Sequence, residues 1–394
     1  MKSIAIIFNG NLSDRKGYVN AVLERTKRLS RHEEYRIDVY CIGEYDHWLT
    51  RQLRNSVKSD RQDIVVIDGM KIRMLWIPFS LIDYFLSVKL NIYKVIEPFF
   101  LNRYISIFKN YDLICAHSAV PGNFAMKINN RYNVSYVVTW HGSDIHTDPF
   151  INQNYQKMVI KIMRHASANL FVSKNLLETA YIFNPEIPNA KISYNGSADE
   201  FRKLPKNERH LLRQKYGIET TDKVVGFVGG LTPIKNADKL PELFYYISHC
   251  GKPIKFWVIG DGKLRNLIES KLKDEYPNLD YRLFGNQPPE KMSDLMSCLD
   301  LLVLPSKNEG LPLVIVEALS CAINVVASNV GGIREVVGEQ NVINHGDGFV
   351  ERFGDRCIDI LVNEERTSEL PKQFNWNLIV DKELMLYKSI LEYK

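Results

Sequence analysis

Short apolar runs, each closed by a polar or glycine-bearing turn, recur along the chain. In the first half Ser3 to Phe8, Arg36 to Cys41, Asp112 to Ala116, Ser135 to Thr139, Ala168 to Val172 and Lys191 to Tyr194 read as strands. In the second half Lys223 to Val228, Ile254 to Ile259, Tyr281 to Phe284, Leu299 to Leu304 and Asn324 to Ala327 do the same. Leu299 to Leu304 is apolar without alternation, which marks a strand buried on both faces of a parallel sheet. Ile64 to Ile67 and Lys71 to Leu75 flank Asp68-Gly69, a dipeptide that favours a hairpin turn. Helical spacing fills the gaps, beginning with Gly17 and the run Tyr18 to Leu29, and ending with an amphipathic stretch from Trp376 to about Tyr393. Strand–helix alternation in both halves predicts α/β, doubly wound sheets. The segment Phe201 to Asn207 reads as the linker between them.

The most informative stretch is Val303 to Val337. A strand ends in the polar loop Ser306-Lys307-Asn308-Glu309-Gly310, and Pro312 suits the first turn of a helix because it has no N–H to waste. Leu313, Val316, Glu317 and Ser320 continue at helical spacing. Asn324 to Ala327 follows as a strand, and Gly331-Gly332 opens another helix. Both helix N-termini then lie at the carboxyl edge of a sheet, where open α/β sheets bind ligands and free N–H groups attract phosphate. Glu309 and Glu317 frame the unit, eight residues apart. An ionised carboxylate can accept both hydrogens of a vicinal diol, and a sugar ring and a ribose each present one. Two histidines, His117 and His141, follow strand ends, the second in Trp140-His141-Gly142-Ser143-Asp144. Asp144 either orients His141 or caps the next helix. No Asp-x-Asp occurs, and no His or Cys cluster has zinc spacing, so no metal site is expected.

The pattern PS-x-x-EGLP-x-x-x-x-EAL-S-x-A…VGGI-x-E resembles glycosyltransferase family 4, retaining enzymes of GT-B architecture. The resemblance implies two Rossmann-like doubly wound parallel-sheet domains facing each other across a cleft. An acceptor-binding domain is expected at 1–200, a nucleotide-sugar domain at 201–374, and a final helix at 375–394 crossing back. It implies that Glu309 touches the transferred sugar and Glu317 the ribose, with Gly310, Leu311 and Leu313 supplying backbone beside the donor. The TWHGSD run resembles the family segment whose histidine, here His141, bonds the donor sugar; His117 would line the acceptor side. Gly229-Gly230-Leu231-Thr232-Pro233-Ile234-Lys235-Asn236 resembles the family's phosphate loop, with Lys235 where the diphosphate-binding lysine belongs. Gly230 stands where an arginine is usual, and Arg334 is a candidate substitute. Gly17 resembles one of a glycine pair, its neighbour here being Lys16. Gly260 and Asn286 resemble segments beside the nucleotide and its base, and Asn195 to Asp199 a hinge.

The implied reaction is retaining, metal-independent transfer of a sugar from a nucleoside diphosphate sugar to a hydroxyl of a glycan or lipid-linked glycan, with no cofactor, in bacterial surface polysaccharide assembly of the capsular or teichuronic-acid type. Two alternatives are a degenerate member that binds nucleotide sugar without turnover, which Gly230 and Ala322 in place of a usual glycine favour, and a nucleotide-sugar epimerase.

Composition adds limits. The chain has 394 residues, enough for two cores. The six cysteines are scattered, which fits reduced thiols in a cytoplasmic protein. The opening apolar run is too short for a signal peptide, and none approaches a membrane span. Residues 1–200 hold 25 basic and 19 acidic side chains, a small surplus with no basic block, so nucleic acid is not an expected partner. The stretch Trp76 to Phe108 interleaves aromatics with Lys89, Lys94, Arg103 and Lys109. It reads as helices packed on a sheet, or as a surface dipping into the inner face of the cell membrane.

Overall fold

A computed structural model describes residues 1–12, 17–46, 50, 61–86, 97–363 and 368–392. The chain divides into two compact units. One comprises Met1–Asn195 with Trp376–Lys394, the other Gly196–Asn375.

The first unit is built on an eight-stranded sheet. Its strands are β1 (Lys2–Asn9), β2 (Tyr35–Asp46), β3 (Ile64–Ile67), β4 (Met70–Phe79), β5 (Leu113–His117), β6 (Ser135–Trp140), β7 (Ala168–Phe171) and β8 (Ala190–Ile192), in the order β3-β4-β2-β1-β5-β6-β7-β8. Neighbours are parallel throughout except β3 and β4, the antiparallel pair around Asp68-Gly69. Asp68 takes φ 49° and Gly69 φ 79° there, the left-handed pair that a two-residue hairpin needs. β5 and β7 are buried from end to end, as apolar strands covered on both faces must be. The order of strands reverses between β1 and β5, which puts a switch point beside His117. Two helices abut it: α1 (Gly17–Leu29) follows β1 and α2 (Ala119–Tyr132) follows β5.

The second unit carries a six-stranded, all-parallel sheet. β9 (Lys223–Val228), β10 (Ile254–Ile259), β11 (Asp280–Gly285), β12 (Leu301–Leu304), β13 (Asn324–Ser328) and β14 (Val342–Ile343) run in the order β11-β10-β9-β12-β13-β14. Its switch point lies between β9 and β12. Helices α3 (Leu240–Ser248), α4 (Leu313–Ser320) and α5 (Phe349–Asn363) belong to this unit.

The closing helix α6 (Trp376–Glu392) returns to the first unit. Its Trp376, Ile379, Val380 and Tyr387 recur at helical spacing and join the core around Ile4, Ile6 and Val22. Each such side chain, buried, contributes roughly 1.5–3 kcal/mol.

One expectation changes. The predicted linker ends sooner, because a helix begins at Lys206 behind Pro205, whose fixed φ suits a helix start. Helix α3 begins only at Leu240. Asn236 at φ 53° breaks the chain into two short 3₁₀ turns first. In the aromatic stretch, Leu101, Ile105 and Phe108 are buried, while Phe85, Phe99 and Ile107 are exposed. Lys89, Tyr93 and Lys94 lie outside the described residues, as does Lys16.

Candidate functional site

In the second unit the loops after β9 and β12 meet. Lys235 comes round on the 3₁₀ turn Pro233–Lys235, and the Lys307 N–H donates to the Ile234 carbonyl at 2.8 Å, tying the two loops together. Lys235 Nζ then lies 2.6 Å from Glu309 Oε1. Ser306 Oγ donates to the same oxygen at 2.7 Å. Glu309 is 9 % exposed, and these two donors supply the hydrogen bonds that a buried polar group needs. His345 on the far side bonds the Ser306 carbonyl through Nε2 at 2.9 Å.

Bare backbone makes this packing feasible. Gly331 has φ 55°, and a Cβ there would stand 1.9 Å from the Glu309 carbonyl oxygen. Gly332 N–H donates to the Gly310 carbonyl at 2.7 Å. Gly260 plays the same part beside the phosphate-type loop, where a Cβ would meet Gly229 O at 2.1 Å. Gly230 differs: it is exposed, and a Cβ there would have nothing nearer than 3.7 Å. Space for a side chain exists where the glycine stands.

Glu317 lies two turns into α4, half-buried. Burial and the Glu200 carboxylate push it up to about 7. Leu311 is buried, Leu313 partly so, and Asn286 is exposed just past β11. Arg334 is spoken for: it pairs with Glu339, and its helix spans only Ile333–Val337.

In the first unit, His117 ends β5 and His141 follows β6. Because β5 and β6 are neighbours, the rings meet, with His117 Nδ1 at 3.0 Å from His141 Nε2. Tyr18 of α1 packs edge-on against His141 at 4.8 Å between centroids and donates to the His117 carbonyl at 2.9 Å. Burial and the Arg25 guanidinium hold His141 down at about 3. Burial, His141 and Arg25 hold His117 well below its ordinary value. Both rings are therefore neutral at pH 7. Asp144 is buried and accepts from the Gly142 N–H at 2.8 Å and the His141 N–H at 3.4 Å. It fixes the backbone of the turn, not the imidazole. Gly17 opens α1 one residue before Tyr18.

Sequence reasoning assigned no role to Ser306, His345, Tyr18 or Arg25. Ser306 stood inside the quoted motif and was the one within reach. The other three act through tertiary neighbours far away in sequence.

Residues 208–375 match the family model described as Glycosyl transferases group 1. The teichuronic acid biosynthesis glycosyltransferase TuaC of Bacillus subtilis (strain 168) is 27% identical over 231 residues, which cover 58% of this chain and 56% of TuaC. Anabaena HepE, solved in complex with UDP, aligns with TM-score 0.69 at 17% identity over 100% of this chain and 99% of HepE. Sucrose-phosphate synthase from Thermosynechococcus elongatus aligns with TM-score 0.76 at 15% identity over 100% of both chains. The two parallel-sheet α/β units therefore have the GT-B fold. The second unit carries the match to the Glycosyl transferases group 1 domain, and this chain spans about half the length of TuaC.

Proposed function

We propose that the protein is a retaining, metal-independent glycosyltransferase that moves a sugar from a nucleoside diphosphate sugar to a hydroxyl of a glycan or lipid-linked glycan, in assembly of a surface polysaccharide. The observation that carries this is the meeting of Lys235 with Glu309 at the ends of β9 and β12, on a sheet's switch point, inside the matched domain. TuaC's name supports the polysaccharide class of product. HepE's bound UDP supports the donor class.

In this reading Lys235 turns from Glu309 to the diphosphate and offsets the charge that grows as it leaves. Glu309 Oε2 accepts a hydroxyl of the sugar, held in place by Ser306. Glu317 takes the ribose diol, and Gly229 and Gly230 let the phosphates approach bare N–H groups. Gly260 and Asn286 flank the nucleotide, with Gly310, Leu311 and Leu313 beside the sugar. The neutral His141 bonds a hydroxyl near the reacting carbon. The bond from C1 to the phosphate oxygen breaks while the acceptor oxygen bonds C1 on the same face. The departing phosphate takes the acceptor proton. Phe85, Phe99 and Ile107 support contact with the inner face of the membrane.

A second reading, a binder without turnover, draws on Gly230, which supplies no cation. The test separates the two. Thermal shift against UDP-, GDP-, ADP- and TDP-sugars identifies the donor, since a ligand of the folded state raises Tm. Transfer is then measured with EDTA present. Glu309→Gln is expected to cut kcat by about 10²–10³-fold while the donor still shifts Tm. Equal inertness of wild type and variant with a bound donor establishes the binder. Activity lost in EDTA and restored by magnesium overturns metal independence.

A further inference from the structure

We propose that His117 is a positioning residue that acts through His141. By occupying His141 Nε2 it locks that imidazole in one neutral tautomer and leaves Nδ1 as the nitrogen that meets a hydroxyl. The part this plays in transfer rests on the reading above.

The two rings lie 3.0 Å apart, Nδ1 to Nε2. A hydrogen bond at that distance needs one donor and one acceptor nitrogen. Two protonated rings cannot make it. If His117 donates, His141 carries its own proton on Nδ1; if His141 donates, its Nδ1 is an acceptor. Either way the shared proton decides what His141 offers, and His117 sets it. The ring planes are inclined at 40°, so the contact is a bond between edges and not a stack.

The surroundings hold His117 to this task. Its carbonyl accepts from Tyr18 Oη at 2.9 Å, while the Tyr18 ring braces His141. The next residue, Ser118, has φ 79° and ψ 172°, a region that non-glycine residues scarcely enter and that costs about 1–3 kcal/mol. Its N–H donates to the Thr139 carbonyl of β6 at 2.8 Å. The β5 end is thus bent onto β6, which brings His117 to His141. His117 is 2 % exposed and His141 half-buried, so only the latter faces a ligand. The charged and titratable groups around the pair are Arg25 and Tyr18 of α1 and Asp144 of the following turn. Arg25 opposes protonation of both rings.

Nitrogen-15 NMR of histidine-labelled protein reads tautomers directly. His141 is expected in a single neutral tautomer from pH 5 to 8. In His117→Leu it should become a mixture of the two neutral tautomers. His117→Asn, whose amide can occupy the Nδ1 place, should restore the single tautomer. In transfer assays His117→Leu is expected to lower kcat by about 10-fold or more with KM for the donor little changed. It should cost nothing further in a His141→Ala background, as residues in one network do not add. A His141 tautomer indifferent to His117→Leu overturns the proposal, as does full additivity of the two changes. The NMR arm decides without any turnover, so failure of the proposed reaction and failure of this pairing are told apart.

Discussion

Glu317 and Glu309 are both acidic and both on one loop–helix unit, yet their surroundings differ. Glu309 has a lysine and a serine on one oxygen. Glu317 has burial and a second carboxylate, Glu200, and is raised to about 7. A carboxyl raised above its unfolded value of 4.5 favours the folded state while protonated. That stability is complete below pH 4.5 and is lost as pH rises through about 7. Glu317→Gln should therefore melt higher than wild type at pH 8.5 and equally at pH 4. A difference on the order of 1–2 kcal/mol is expected, since the side chain is not fully buried and water screens part of the shift. Melting curves at the two pH values check it, and a variant that is no more stable at pH 8.5 refutes it. Residue identity at this site was legible because Lys235, Glu309 and Glu317 sit in runs whose spacing is set by local turns. The pairing of His117 with His141 was not, because 24 residues separate them and only the adjacency of β5 and β6 joins them.

At the level of elements, glycines decide which loops can touch. Gly331 and Ala322 form a useful contrast. Both have left-handed backbones, φ 55° and 57°. At Gly331 a Cβ collides with the Glu309 carbonyl, so Gly331→Ala should cost about 2–4 kcal/mol, from strain plus overpacking. It should also move Glu309 and weaken donor binding. Ala322 already bears a Cβ just past the end of α4, where a helix commonly finishes on glycine. Ala322→Gly should stabilise by about 0.5–1 kcal/mol, the relief of strain exceeding the added freedom of the unfolded chain. Urea titrations of the two variants check the opposite signs. The sequence marked Ala322 as a departure from the family pattern, and the backbone supplies the reason. Strand positions were legible in the same way, because β12 and β13 are apolar runs buried at every residue. The start of α3 was not legible, because a single left-handed Asn236 does not show in hydrophobic spacing.

On the scale of the whole chain, α/β and doubly wound sheets followed from the rhythm of apolar runs, but no rhythm reveals what fastens the last helix. The polar part of that attachment is Arg25, 1 % exposed, paired with Glu383, 2 % exposed. The guanidinium also donates to Ser193 Oγ at 2.8 Å, the Tyr194 carbonyl at 2.8 Å and Asn195 Oδ1 at 3.0 Å. Tyr387 Oη donates to Glu383 at 3.1 Å. Arg25 and Arg28 both lie over the Trp376 ring, 5.3 Å from its centroid. One helix, α1, therefore holds both the last residues before the chain leaves the first unit and the first residue after it returns. A buried ion pair owes much of its value to the desolvation already spent on each partner. Losing one partner is expected to cost about 3–5 kcal/mol, and replacing both with apolar side chains much less. Glu383→Ala should lower the urea midpoint of the first unit and leave that of the second unchanged, so the two transitions must be followed separately. Arg25→Met with Glu383→Leu should recover most of the loss, because no charge is then stranded. If the double variant unfolds as early as the single one, the ion pair and its hydrogen bonds, rather than the packing of α6, hold the helix to the first unit.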